Sequence, residues 1–288
     1  MRLVYAILAH DAFDQLERLI HRLLADAPED RVCLHIDATA TPPDAFLNGL
    51  SDAVRARVTI VNPAIPVHWA HWSQTVAIAR LLDAALAEPF NLVHVISGRD
   101  WSLCSRAEMV AAIEAAPAGT CFMDRRDEDL GWRMNDWCFI DRHLRPRADP
   151  TPLSWRIAVL RSRMSAWADR GIKRLRGPRP EPLGPWATSW TWWSLPRDAA
   201  IAVRDATDIL MASGRLRHTQ ASDEHVAPTA LIAAGYGDRM QPARRLVRFA
   251  PGQWSPMTLT RADLENRPGD AWFGRKFDAK VDPAFLEI

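Results

Sequence analysis

Apolar residues follow two different patterns along the first half of the chain. Short uninterrupted apolar runs are typical of strands that are buried on both faces of a parallel sheet. The strands predicted on this basis lie within residues 3–10, 31–37, 58–63, 90–100 and 119–124. Residues 13–24 instead carry apolar side chains every three or four positions, which is the spacing of a helix with one buried face.

Two serines mark expected helix starts, because a serine hydroxyl can accept a hydrogen bond from a free N–H group of the first turn. Ser73 is predicted to cap a helix over residues 73–88, and Ser105 one that ends near residue 115. Strands that alternate with helices predict an α/β fold with an open, mostly parallel sheet flanked by helices. Such sheets bind ligands at the carboxyl ends of their strands. The residues expected near this cleft are His10, Asp37, Gly98, Asp100 and Asp124.

The composition changes over residues 142–185, which are rich in arginine and proline. Within this stretch, residues 154–177 combine apolar and basic positions at helical spacing. One interpretation is a helix whose apolar side packs on the domain, and the other is a weak contact with an acidic membrane surface or an anionic acceptor. An arginine-rich strand is predicted at residues 244–250.

Length and composition restrict the class of protein. The chain has 288 residues, 48% of them hydrophobic, which is enough for one large domain or two closely fused ones. The formal net charge of +1 predicts no nucleic-acid partner. The four cysteines form no CxxC pair, which argues against structural zinc, and Cys33 and Cys121 are predicted in the core. Because residues 3–10 are too short to span a bilayer, we expect a cytoplasmic protein.

Two alternative classes follow from motifs and aromatic content. No GxGxxG motif follows the first predicted strand, which weakens a dinucleotide-binding hypothesis. Thirteen tryptophans against two tyrosines offer flat rings that stack on sugars, so a non-catalytic carbohydrate-binding protein stays open. Turnover separates a binding protein from an enzyme, since a binding protein would hold a glycan without any reaction.

Several segments, in one collinear order along the chain, resemble the core-2/I-branching enzymes (glycosyltransferase family 14). They are YAILAHDAFDQLERLI, LHIDATA, VHWAHWSQTVAIARLL, HVISGRDWSL, SWTWWSL, SDEHVAPTAL and FGRKFDAKVD. No single segment is specific to this family, but the occurrence of all seven in the family's order is. Ser102 stands where the family usually has proline, and Ser189-Trp190 where it has Gly-Ser.

The resemblance implies one GT-A-type catalytic domain over residues 1–288. Residues 1–141 would form the nucleotide-sugar-binding half, residues 142–185 a variable insertion, and residues 186–288 the acceptor and catalytic half. It implies an inverting, metal-independent transfer, without a cofactor, from a UDP-sugar to a hydroxyl of a glycan acceptor. We predict N-acetylglucosamine as the sugar, with xylose and glucuronic acid as alternatives. Eukaryotic members carry a membrane anchor before this region, so a bacterial-type member, cytoplasmic or peripheral to the inner membrane, is the better match.

The resemblance also assigns the central chemistry. Glu224 corresponds to the family's catalytic base, although the residues alone favour an acidic first helical turn capped by Ser222. Arg248 and Lys276 correspond to the basic pair that receives the departing UDP. Arg275 is either a helper or a solvated side chain, and the residues alone favour the solvated side chain. A base for the acceptor hydroxyl and cations for the diphosphate are what such a transfer requires.

The remaining assignments concern donor and acceptor. Residues corresponding to the family's donor contacts are Leu8, Asp37 and Trp69. Residues expected to bind the acceptor or to order its site are Asp124, Trp190, Trp192 and Asp223. Asp37 also fits a turn-forming aspartate. Because Trp190 could narrow the acceptor site, a member that binds UDP without transfer stays open.

Three further residues or patterns receive structural interpretations. The acidic run Asp127–Asp129 contains the only Asp-x-Asp pattern and is predicted to be a solvated loop. His10 and His35 flank predicted strand ends and are expected to be hydrogen-bonded structural residues.

Overall fold

A computed structural model describes residues 1–138, 152–177, 179–251, 253, 255–265 and 267–287. Its strands are β1 (Leu3–Ala9), β2 (Arg31–Ile36), β3 (Val58–Ile60), β4 (Leu92–Ser97), β5 (Asp100–Ser102), β6 (Cys121–Phe122), β7 (Ser194–Pro196), β8 (Met240–Gln241), β9 (Arg245–Val247) and β10 (Phe273–Arg275). Its α-helices are α1 (Phe13–Leu24), α2 (Asp44–Gly49), α3 (Asp52–Arg55), α4 (Trp72–Leu86), α5 (Arg106–Ala115), α6 (Trp132–Asn135), α7 (Pro152–Arg176), α8 (Arg197–Ala212) and α9 (Val226–Ala233).

Seven strands form the main sheet in the order β3-β2-β1-β4-β7-β6-β8. Strands β3, β2, β1 and β4 are parallel, β7 is antiparallel to both β4 and β6, and β8 is parallel to β6. A second sheet has the order β5-β10-β9. The predicted α/β fold with a mostly parallel sheet and flanking helices is confirmed.

The central strand β1 shows how the sheet divides the core into two layers. Successive side chains of a strand point to opposite faces. Leu3, Tyr5 and Ile7 pack with the buried faces of α1, α2 and α5 and with the small sheet. Val4 and Ala6 pack on the other face against α4, α8 and α9. Burial on both faces explains why β1 is an uninterrupted apolar run.

The helix starts follow the sequence prediction in one case and depart from it in another. Ser105 caps α5, and Glu108 completes a reciprocal capping box with it. The prediction that Ser73 caps α4 is wrong. The helix begins one residue earlier, and the imidazole of His71 accepts the hydrogen bond from the Ser73 N–H at 3.2 Å. The Ser73 hydroxyl instead accepts the N–H of His68 at 3.0 Å.

The middle of the chain is described in part. Of the predicted insertion 142–185, residues 142–151 and 178 lie outside the described residues, and residues 152–176 form α7. Among the described helices, none combines the length and the apolarity needed to cross a bilayer. Cys33 and Cys121 are buried, as predicted.

Candidate active site

A cavity of about 890 Å³ opens at the carboxyl ends of β1 and β2. Its volume lies in the range of roughly 300–1,000 Å³ that is usual for ligand sites. The predicted site residues on its wall are Leu8, Asp37, Trp69, Trp190, Trp192, Asp223 and Glu224. The fold therefore brings together residues from both ends of the chain that the sequence analysis assigned to donor, acceptor and base.

Asp37 organises the wall on the side of the first strands. Its carboxylate accepts hydrogen bonds from the N–H and hydroxyl of Thr39, at 2.8 and 2.7 Å, and from the N–H of Val67 at 3.2 Å. These bonds fix the turn after β2 and join it to the loop that leads to Trp69. The turn-forming interpretation of Asp37 is confirmed, and its donor contact stays a prediction. Trp69 is exposed by 54%, which leaves its ring accessible to a ligand.

Glu224 is positioned by a short 3-10 turn, Ser222–Glu224, directly before α9. The Ser222 hydroxyl pairs with the Thr75 hydroxyl of α4 at 2.6 Å, and the Glu224 carbonyl accepts the N–H of Ser189 at 2.9 Å. The prediction that Ser222 caps a helix is wrong, because its side chain is used to hold the turn against α4. The turn is thereby fixed from two sides.

Two arginines hold the Glu224 carboxylate. Arg133 donates to its Oε2 at 2.5 Å, and the guanidinium of Arg126 lies 3.6 Å from the same oxygen. Burial raises the pKa of Glu224, while Arg133 and Arg126 lower it, and the net direction is upward. A carboxylate whose pKa is raised by burial is a stronger proton acceptor, which suits a general base.

Asp223, next to Glu224, is more deeply buried. Its Oδ2 accepts the Thr191 hydroxyl at 2.6 Å, and its Oδ1 is buried without a partner among the described residues. Burial, and then the neighbouring charge of Glu224, raise the pKa of Asp223 to about 7. At neutral pH the pair therefore carries less than two full negative charges.

Asp223→Asn is expected to change how the stability of the protein depends on pH. Since the pKa of Asp223 is higher in the folded state, its stabilising effect is present below its unfolded pKa of about 3.9 and is lost as pH rises through about 7. Wild type should lose free energy of unfolding relative to the variant between about pH 5 and about pH 8. Denaturant unfolding at both pH values measures this difference. The exposed change Asp26→Asn is the control, and parallel pH curves for wild type and Asp223→Asn would contradict the assignment.

Trp190 lies in a stacked column on the wall of the cavity. Its ring stacks on Phe249 with centroids 5.0 Å apart and an interplanar angle of 20°. The guanidinium of Arg126 covers the ring at 3.9 Å, which is a cation–π contact. Arg126 also pairs with Glu128 at 3.0 Å. Trp190 therefore fixes Arg126, and Arg126 in turn lies against Glu224.

Arg275 is a second cation on the wall and packs on Trp192, so its interpretation as a solvated side chain is wrong. The guanidinium of Arg275 lies 4.1 Å from the centre of the Trp192 ring and donates to Asp100 at 2.9 Å. Asp100 is buried and also accepts the N–H of Ser97, at the end of β4. Asp100 therefore positions the Arg275 guanidinium and is not itself part of the cavity wall.

The predicted basic pair, Arg248 and Lys276, is not part of the cavity wall, although residues next to both in the sequence are. The Arg248 guanidinium donates to Asp263 at 2.6 Å, and the Lys276 ammonium is exposed, 3.4 Å from the Ser255 hydroxyl. The backbone of Met257 joins the two, because its N–H donates to the Arg248 carbonyl and its carbonyl accepts the Lys276 N–H. The wall residues in this region are Val247, Phe249, Gln253, Pro256 and Arg275. The backbones of Arg248 and Lys276 are therefore both hydrogen-bonded to Met257, next to the cavity wall, and we call this region the rim of the cavity.

The other predicted residues have mixed positions. Asp124 is outside the cavity wall and accepts the N–H of Ala243 at 3.0 Å. His10 and His35 are on the wall, and Gly98 is not. Of the acidic run Asp127–Asp129, only Glu128 reaches the wall.

Arg126 and Arg133 are the functional candidates that the sequence analysis missed. Arg126 follows β6 in a charged run, and Arg133 is in the short helix α6. A backbone bridge between Arg126 and Thr188 brings Arg126 close to the segment that contains Trp190. Their shared contact with Glu224 depends on this long-range pairing, for which the sequence contains no local signal.

The protein thus has an α/β fold with a cavity at the carboxyl ends of its strands. On the wall of this cavity are a carboxylate, which two arginines bind, and two tryptophans that can pack on a sugar. The family model described as Core-2/I-Branching enzyme matches residues 3–267. The chain therefore belongs to the core-2/I-branching family, and the protein is a glycosyltransferase. Family membership decides against the dinucleotide-binding and carbohydrate-binding alternatives.

Comparisons with individual proteins add little to this. Among solved structures, the chain is similar to the crystal structure of mouse xyloside xylosyltransferase 1 in its apo form, with 10% sequence identity and a TM-score of 0.39. The match covers 95% of this chain and 97% of that chain. At this level of similarity, no property of that enzyme is transferred to this chain. No curated protein matches the chain significantly.

Proposed function

We propose that the protein transfers a sugar, N-acetylglucosamine in our prediction, from a UDP-sugar to a hydroxyl group of a glycan acceptor with inversion at the anomeric carbon. The observation that carries this proposal is the convergence of Glu224 with Leu8, Asp37 and Trp69 on the wall of one cavity. These residues were assigned to base and donor separately, from segments far apart in the chain. UDP-xylose and UDP-glucuronic acid remain the alternative donors.

The proposed reaction is a single displacement. The acceptor hydroxyl gives its proton to the Glu224 carboxylate as its oxygen attacks the anomeric carbon. The bond from that carbon to the phosphate oxygen breaks, and UDP leaves with the bonding electron pair. Arg133 and Arg126 orient Glu224 at 2.5 and 3.6 Å, and Arg248 and Lys276 at the rim neutralise the departing diphosphate. Arg275, stacked on Trp192, is a third cation within the cavity.

UDP is expected to raise the melting temperature of the protein, and NAD is not. A ligand that binds only the folded state stabilises it by mass action, by roughly 2.7 kcal/mol at a hundred times its Kd. Thermal-shift titrations with UDP, NAD and uridine measure the effect. Trp69→Ala should reduce the shift, while Trp132→Ala, at another partly exposed tryptophan outside the cavity wall, should not. A shift with NAD and none with UDP would remove the proposed donor class.

Transfer is expected to continue in excess EDTA after metal has been stripped from the enzyme. In the described ranges, no three His, Cys, Asp or Glu side chains cluster as a metal site would require. Arg248 and Lys276 supply two fixed positive charges at the cavity rim, as many as one divalent ion. Activity that is lost in EDTA and restored by manganese or magnesium would refute metal independence and direct attention to Asp37 and Asp127–Asp129.

A further inference from the structure

Helix α7 exposes a stripe of large apolar side chains. The stripe consists of Ile157, Leu160, Met164 and Trp167, and all four side chains are exposed, Leu160 by 60% and Trp167 by 79%. The interpretation that the apolar side of this helix packs on the domain is therefore wrong for these residues. Exposed apolar side chains that are contiguous on one face mark an interaction surface.

The stripe has a regular structure. Ile157 and Met164 are seven residues apart, as are Leu160 and Trp167, so each pair lies two helical turns apart in one row. The exposed arginines Arg156 and Arg163 form a third row beside them, with the same spacing. The apolar stripe is thus bordered along its length by guanidinium groups.

Positive charge is concentrated in this helix. Residues 152–176 contain six arginines and one lysine against one aspartate, whereas the whole chain has a net charge of only +1. The helix of 25 residues is roughly 37 Å long at about 1.5 Å per residue. A basic helix with an apolar stripe of Trp, Leu, Ile and Met has the composition of helices that lie in the interface of a membrane.

We propose that α7 docks this face on the surface of a bilayer that contains anionic lipids. The apolar side chains enter the boundary between headgroups and acyl chains, and Trp167 takes the position that tryptophan favours there. The guanidinium groups of Arg156 and Arg163 pair with lipid phosphates, to which arginine presents a planar fork of donors. The stripe lies outside the described wall of the cavity, so docking does not depend on the proposed reaction.

A second copy of the chain is a poorer occupant of the same face. A helical dimer would need apolar residues at the next two positions of the seven-residue repeat. These positions are Gly171 and Arg174, which interrupt the stripe after Trp167. Two copies would also bring rows of arginine near one another, whereas an anionic surface neutralises them.

Sedimentation with lipid vesicles tests the docking. The full-length protein is expected to bind vesicles of phosphatidylcholine mixed with phosphatidylglycerol, to bind vesicles of phosphatidylcholine alone much more weakly, and to be released from the mixed vesicles by salt. Arg156→Gln with Arg163→Gln should lower the partition coefficient about fivefold for each arginine. The matched control, Arg18→Gln with Arg55→Gln at exposed arginines of α1 and α3, should leave it unchanged.

The apolar contribution is tested separately. Met164→Ser with Trp167→Ser should abolish binding to the mixed vesicles, while Ile209→Ser with Val281→Ser, at exposed apolar positions elsewhere, should preserve it. The UDP thermal shift of each variant shows that the cavity is intact. Equal binding by stripe and control variants would overturn the proposal. So would a dimer that Trp167→Ser dissociates, combined with no binding of wild type to anionic vesicles.

Discussion

Glu224→Gln is expected to lower the rate of sugar transfer by roughly two to four orders of magnitude, the usual contribution of general acid–base catalysis. The glutamine keeps the shape of the side chain and an oxygen that can accept the hydrogen bond from Arg133 at the position where Glu224 accepts it at 2.5 Å. It cannot take up the proton of the acceptor hydroxyl. Affinity for UDP should therefore persist while turnover is lost.

A control variant and the pH dependence of the rate complete the test of Glu224. Glu114→Gln, at an exposed glutamate of α5, is the control and should be fully active. Because Arg126 lowers the pKa of Glu224, Arg126→Gln should move the acidic limb of the pH–rate profile to higher pH. Near-normal turnover of Glu224→Gln would show that the base is elsewhere, and Asp223, on the same wall, would be the next candidate.

Arg248→Ala and Lys276→Ala are each expected to weaken UDP binding by roughly 10- to 150-fold, and both should slow transfer. A hydrogen bond that involves a charged group contributes about 1.5–3 kcal/mol, which corresponds to that range. The two residues are joined through the backbone of Met257, and in the proposed reaction both side chains contact one diphosphate. Isothermal titration of UDP and of uridine separates the phosphate contribution, since uridine affinity should not change.

Two further variants sharpen this test. Lys280→Ala removes an exposed lysine four residues beyond Lys276 and should leave UDP affinity unchanged. Asp263→Asn removes the carboxylate to which Arg248 donates at 2.6 Å and should leave its guanidinium free to move to the ligand. If neither Arg248→Ala nor Lys276→Ala changes UDP affinity, the cation that meets the diphosphate is a different one, and Arg275 on the cavity wall becomes the candidate.

The parts of the fold that the sequence predicted are those with local, periodic signals. The apolar spacing of residues 13–24 predicted the helix α1 with its observed bounds. The buried run at residues 3–10 predicted β1, because burial on both faces removes polar residues from a strand. The small sheet could be predicted only in part. Strand β9 lies within the strand predicted at residues 244–250, but β5 and β10 have three residues each and pair across more than 170 positions, as Asp100 does with Arg275.

The candidate site likewise has residues that local motifs predicted and contacts that only the tertiary structure shows. Glu224 was predicted through the motif SDEH and its family resemblance, and Trp190 and Trp192 through the motif SWTWWSL. The contacts of Arg133 and Arg126 with Glu224 depend on tertiary structure, as does the stacking of Trp190 on Phe249. Helix α7 was predicted from its pattern, but only the structure shows that Ile157, Leu160, Met164 and Trp167 are exposed rather than packed on the domain.

The release of UDP from a panel of UDP-sugars, measured for wild type and Glu224→Gln side by side with glycan acceptors, tests the central claim most directly. We expect wild type to release UDP from at least one of UDP-N-acetylglucosamine, UDP-xylose and UDP-glucuronic acid, in proportion to an acceptor product of inverted anomeric configuration. The variant should bind UDP and release almost none from the same donor. Acceptor-dependent release that is equal in both proteins, or a product with retained configuration, would contradict the single displacement with Glu224 as its base.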